Sequence, residues 1–187
     1  MPRDTREAIL TAALEVFSER GFHAATVPQV ARRAGIGAGT IYGHFSSKEE
    51  LGNALYQRWK LRYVEHVLSS IPREGPWRAR FRGFWQGMVR FAQEHPNVLE
   101  YLEFHHHSTY LDSGSHEATA RLATEMSALI EAGQADEVFV DGPPLILTNM
   151  IYGAFLRLLR VGRSGWLELT PELFAAAEER AWAMIRR

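Results

Sequence analysis

The stretch Thr26-Val27-Pro28-Gln29-Val30-Ala31-Arg32-Arg33-Ala34-Gly35-Ile36-Gly37-Ala38-Gly39-Thr40-Ile41-Tyr42-Gly43-His44-Phe45-Ser46-Ser47-Lys48-Glu49-Glu50-Leu51 decides the reading of this chain. Thr26 followed three residues later by Gln29 has the form of a capping box, with Pro28 in the first turn, where a missing N–H costs little. Val30, Ala31 and Ala34 make one apolar face, and Gly35 ends the helix after about two turns. A second short helix is predicted from about Ala38 to His44, with Ile41 and Phe45 four apart and turned inward. Ser47 and Glu50 form a second box that opens a long helix through Leu51, Leu55, Trp59 and Val64 to about Ser70. Two short helices joined around Gly35-Ile36-Gly37 are a helix-turn-helix. The second is short enough to enter a major groove about 12 Å wide. Its outward positions Ala38, Gly39, Thr40, Gly43 and His44 are small or polar, which lets a backbone approach nucleic acid.

Working outward, Ile9, Ala13, Leu14 and Phe17 recur at helical spacing, so a first helix is expected over about Asp4 to Arg20, stopped by Gly21. Charge is distributed to match. The net charge is −1, but residues 1–60 carry +2 and the remainder −3. No Asp or Glu occurs between Gly21 and Ser47, a stretch holding Arg32, Arg33, His23 and His44. Such a surface suits phosphates.

This segment resembles the DNA-binding domain of TetR/AcrR-type regulators, as do Ile9 to Phe17 and Gly21-Phe22 upstream. The resemblance covers about the first third of the chain. It implies that Thr26 caps its helix and binds a phosphate, that Thr40 faces the groove, that Tyr42 and His44 contact phosphates or sugars, and that Lys48 pairs with a phosphate beside the positive end of its helix. The candidate DNA-binding set is Thr26, Gln29, Gly37, Ala38, Gly39, Thr40, Tyr42, Gly43, His44 and Lys48, with Phe45 in the core. The family often has Ser at position 37 and a larger polar or basic residue at 38. With Gly37 and Ala38 here, no Arg or Gln is aimed at a base edge, and specificity is expected to lean on DNA shape and backbone contacts.

The expected fold is all-α, about nine helices, divided into a DNA-binding domain over 1–50 and an effector-binding and dimerisation domain over 51–187. Ile71 to Pro76 is a Pro/Gly break. Helical segments follow at about Trp77 to Glu94, Asn97 to Phe104, His116 to Ala132 and Pro144 to Val161, with a last helix from Thr170-Pro171. Val138-Phe139-Val140 is the one short β-like run. Large apolar and aromatic groups offer a pocket lining, with Trp59, Tyr63, Trp85, Met88, Tyr101, Phe104, Met126, Met150 and Phe155 as candidates. Each also reads as an ordinary core residue. Glu100 and Glu103, lying among aromatics, read as solvated carboxylates. The segment 144–161 is apolar on nearly every face and is expected to bury more than one side. It joins 171–187 as the expected homodimer interface.

Cysteine is absent, so disulfides and Cys-ligated zinc are excluded. His105-His106-His107 invites a metal, but three consecutive helical residues point three ways, so a structural role is expected and no metal or cofactor is assigned. No phosphate loop, nucleophile elbow or zinc-protease motif is present, so an enzyme is not expected. The longest apolar stretch, Pro143 to Leu156, is short for a membrane span, and the N-terminus has no signal-like apolar region. A cytoplasmic regulator of transcription follows, expected to be a repressor that meets operator DNA as a homodimer and answers to a small, largely apolar or aromatic effector. The alternatives are a helical small-molecule carrier, or a protein-interaction regulator that has lost specific DNA binding.

Overall fold

The computed structural model describes residues 2–105, 107 and 109–187, with the side chains of residues 2–4 left aside. Nine helices are formed among these residues: α1 (Pro2–Ala24), α2 (Val27–Ala34), α3 (Ala38–Tyr42), α4 (Lys48–Ser69), α5 (Trp77–Glu94), α6 (Pro96–Phe104), α7 (Ser113–Ala135), α8 (Pro144–Arg163) and α9 (Pro171–Ile185). The chain forms two compact units. One runs through Tyr63 and takes in Phe91–Thr119; the other comprises Val64–Arg90 and Ala120–Arg187.

In the first unit, Ile9, Ala13, Phe17, Val30, Ile41, Phe45, Leu51 and Leu55 are buried together. Each fully buried large side chain contributes about 1.5–3 kcal/mol by leaving water, and the helical spacing of these residues is what sets α1 to α4 in place. Leu14 is only half-buried. The α1 backbone breaks at Gly21, whose φ of 75° leaves the helical region, and a last turn continues to Ala24. That differs from a simple stop at Gly21, and the extra turn brings Phe22 into the core. Its ring stacks on Tyr110 with centroids 3.6 Å apart.

In the second unit, Trp85 is buried against Phe155 and donates its indole N–H to the Phe174 carbonyl at 3.1 Å. Trp182 meets both Phe81 and Phe139. The β-like run around Phe139 forms an isolated antiparallel bridge with Arg186, with Val140 N–H bonding Ile185 O at 2.8 Å. A single bridged pair does not build a sheet. Thr170 caps α9, its hydroxyl accepting from Leu173 N–H at 3.2 Å.

Helix α8 departs from expectation at its C-terminal end. It extends beyond the apolar stretch read from the sequence, to Arg163, and is the one described helix long and apolar enough by length and composition to cross a membrane, with mean hydropathy 1.3. Within the single chain it buries one face, Leu147, Thr148, Ile151, Phe155 and Leu159. Leu145, Ile146 and Met150 lie open to solvent, as do Gly153 and Ala154.

Candidate nucleic-acid interface

Helix α2 begins with Thr26 in an extended conformation, and the Gln29 carboxamide oxygen accepts the Thr26 N–H at 2.9 Å. The helix ends at Gly35, where φ is 68°; Ile36 N–H reaches back to Ala31 O at 3.0 Å. That left-handed residue turns the chain sharply and costs a side chain nothing, because there is none. Gly37 then starts α3 with no side-chain cap. The helix spans five residues, ending at Tyr42. Main-chain bonds from Gly43, His44 and Phe45 to Gly39 and Ile41 carry its winding a little further.

This winding separates core from surface. Ile41 and Phe45 are buried. Thr26, Gly37, Gly39, Thr40, Tyr42 and Gly43 are exposed, and Gln29, Ala38, His44 and Lys48 are half-buried. Tyr42, at 55% exposure, is the most accessible large apolar side chain of this segment. A methyl group placed on Gly39 would meet nothing within 4 Å. The structure therefore gathers the candidate set around one small-residue face, with Tyr42 projecting from it.

Two basic side chains are already engaged. Arg33 bonds Glu19 through both terminal nitrogens, each at 2.9 Å, and Glu15 at 2.8 Å. Hydrogen bonding to Arg33 holds the Glu19 carboxyl below its usual range, and the same bonds raise the guanidinium. Arg33 thus fastens α2 to α1, which revises its reading as a free phosphate-facing cation. Arg32 is exposed without an ion-pair partner among the described residues. The Lys48 ammonium donates to the carbonyls of Phe22 at 3.0 Å and Ala25 at 3.1 Å. At the start of α4, Ser47 accepts the Glu50 N–H at 3.0 Å as the box requires, but the Glu50 carboxylate returns to Ser46 N–H and hydroxyl. Those bonds to Ser46 keep the Glu50 carboxyl below its ordinary range.

The nine pocket candidates are spread over both units. In the first, Tyr63 and Tyr101 are buried, Trp59 packs on His95, and Phe104 is half-buried. In the second, Met88 and Phe155 are buried; Trp85 lines a groove with α8 and α9, Met126 lines a separate cavity with Leu68 and Ile71, and Met150 is exposed. Sequence reasoning missed a polar network in the first unit. Lys60 and Glu103, with side chains 6% and 12% exposed, pair at 2.6 Å. Glu103 is therefore not the solvated carboxylate expected. Burial alone would lower the Lys60 ammonium, but the Glu103 charge, Tyr56 and the hydrogen bond outweigh it and hold the lysine above its ordinary range. His107 lies between Tyr101 O and Tyr110 OH, and burial pushes its imidazole down. Of the histidine triplet, His106 lies outside the described residues.

A short exposed helix held against a three-helix core by a glycine turn defines the class: a helix-turn-helix transcriptional regulator. Residues 9–55 match the family described as bacterial regulatory proteins, tetR family, and residues 56–187 match the tetracyclin repressor-like C-terminal domain. The chain belongs to the TetR family. It is 44% identical over 72 residues to the HTH-type transcriptional activator FasR of Mycolicibacterium smegmatis, a match covering 38% of this chain and 31% of that protein. It is 35% identical over 100 residues to the HTH-type transcriptional repressor BepR of Brucella suis, covering 54% and 38%. The chain thus spans under two fifths of the length of both relatives. A TetR family transcription regulator from Marinobacter aquaeolei shares the fold along 99% of this chain and 98% of its own, with TM-score 0.87 and 24% identity.

Proposed function

We propose that this regulator is a homodimeric repressor, released from its operator when a small, largely apolar or aromatic effector binds the part of the chain beyond residue 50. The observation that carries the DNA-binding reading is the exposed, small-residue face of α3, backed by a buried Ile41 and Phe45 that fix its orientation. Thr40 would face bases, while Thr26, Tyr42 and His44 would hold the phosphate backbone, with Gln29, Gly37, Ala38, Gly39 and Gly43 shaping the close approach. Lys48 would add positive charge beside the first turn of α4. With no long polar side chain on α3, recognition would read DNA shape more than base edges.

The exposed apolar row on α8 supports self-association through α8 and α9, because a solvent-facing Leu145, Ile146 and Met150 stripe stabilises an interface when covered. Two-fold pairing would present two α3 helices to two half-sites. Effector binding would favour dimers in which that spacing no longer fits the operator. Such a protein works in the cytoplasm, on chromosomal DNA.

The test is selection from random DNA duplexes at low and moderate salt. A two-fold-symmetric site is the expected product, and Tyr42→Ala should weaken its binding about tenfold or more while leaving the melting temperature unchanged. Absence of any retained DNA at both salts would defeat this reading.

A further inference from the structure

Trp166, in the connection between α8 and α9, is 88% exposed, the most exposed of the large apolar side chains described. Its neighbours show that the connection is ordered by packing. Leu169 fits so closely on Gly162 that any side chain there would collide with it, a built Cβ lying 2.3 Å from Leu169 Cδ1. Leu167 turns into a groove between α8 and α9, while Trp166 and Glu168 are left facing solvent. The groove has a volume of about 450 Å³ and is lined by Trp85, Leu158, Val161 and Ala177, with Arg157 and Arg180 among its lining. Neither arginine, nor Glu168, has an ion-pair partner among the described residues.

One region of the surface therefore carries an apolar knob beside an acid, and an apolar hole beside two bases. A two-fold interface requires a self-complementary patch, in which residue i meets residue j and j meets i. We propose that Trp166 of each protomer inserts into the α8–α9 groove of its partner, with Glu168 meeting Arg157 and Arg180 there. The arginines suit an indole as well as a carboxylate, since a guanidinium is attracted to an aromatic face. The groove is continuous with the uncovered row of α8, because Ala154, exposed on that row, also lines it. This inference rests on the homodimer proposed above and names the contact that locks it.

The test is sedimentation of the full chain over a dilution series. Trp166→Ala removes the knob, and Ala177→Trp fills the hole from within. Each should weaken the dimer about thirtyfold or more, as loss of a buried interfacial tryptophan does, with melting and circular dichroism confirming the fold. Mixed together, the two variants should form a mixed dimer tighter than either homodimer, because only the mixture retains one knob in one hole. Glu168→Arg should weaken the dimer, and adding Arg157→Glu should recover part of the loss. Unchanged dissociation for both single variants, with no preference for the mixed dimer, overturns the inference and leaves the dimer standing. A wild-type chain that is monomeric throughout removes the dimer itself. Binding of decanoate that Ala177→Trp abolishes and Trp166→Ala leaves intact also overturns the inference, since the groove would then hold a ligand.

Discussion

The Lys48 ammonium sits 4.5 Å from the centre of the Phe22 ring and bonds the Phe22 carbonyl at 3.0 Å. One side chain therefore satisfies backbone at the end of α1 and places a positive charge at the first turn of α4. Lys48→Ala should lower stability by about 1–3 kcal/mol, because partly buried carbonyls lose their donor. It should also weaken DNA binding at all sequences alike. Denaturant titration and a salt series on the same variant read the two effects separately. Full retention of stability would show that the carbonyl contacts contribute nothing.

Arg33 gives the opposite expectation. Its charge is matched by Glu15 and Glu19, and all three groups are substantially exposed. Arg33→Met should change stability little, because solvent screens exposed ion pairs. The slope of log affinity against log salt should stay as in wild type, since a paired guanidinium displaces no DNA counterion. A slope shallower by about one would assign Arg33 a phosphate after all.

Gly39 separates folding from recognition. Open space surrounds the position, so Gly39→Ala should leave the fold intact or stabilise α3 by up to about 1 kcal/mol through helix propensity. Operator affinity should nonetheless fall, because the methyl group holds the helix away from the groove. Equal or tighter operator binding would mean that α3 does not approach DNA through this face.

His107 sets an acid limit. Burial lowers its pKa, against the opposing hydrogen bond to Tyr101 O; His105 and Lys60 push the same way as burial and Glu103 opposes them, while the rings of Tyr56 and Tyr110 pack beside it. The folded protein therefore keeps the imidazole neutral where the unfolded chain, titrating near 6.5, already binds a proton. Stability from this group is fully present above about pH 6.5 and is lost as pH falls towards and through the lower folded value, by at most about 1.4 kcal/mol per pH unit. Urea midpoints at stepwise pH from 8 to 5 should decline less steeply for His107→Gln than for wild type. Parallel declines would assign the acid sensitivity to other groups.

The sequence by itself determined the helix-turn-helix. Local chemistry suffices there: Thr26, Gln29 and Pro28 start a helix, Gly35 stops it, and the spacing of Ile41 and Phe45 chooses the buried side. The same periodicity located the remaining helices to within a few residues, with α1 and α7 running further at both ends than the apolar spacing marked. What periodicity cannot supply is the partner of a polar side chain. Arg33 read as part of a phosphate-facing surface and Glu103 as a solvated acid, and the structural role expected of the histidine triplet had no partners attached, because Glu19, Lys60 and Tyr110 are brought to these residues only by folding. The exposed face of α8 and the outward Trp166 were likewise decided by tertiary packing. An apolar residue in a helix or loop signals burial on average, but which side remains uncovered depends on how many neighbours the fold can place around it.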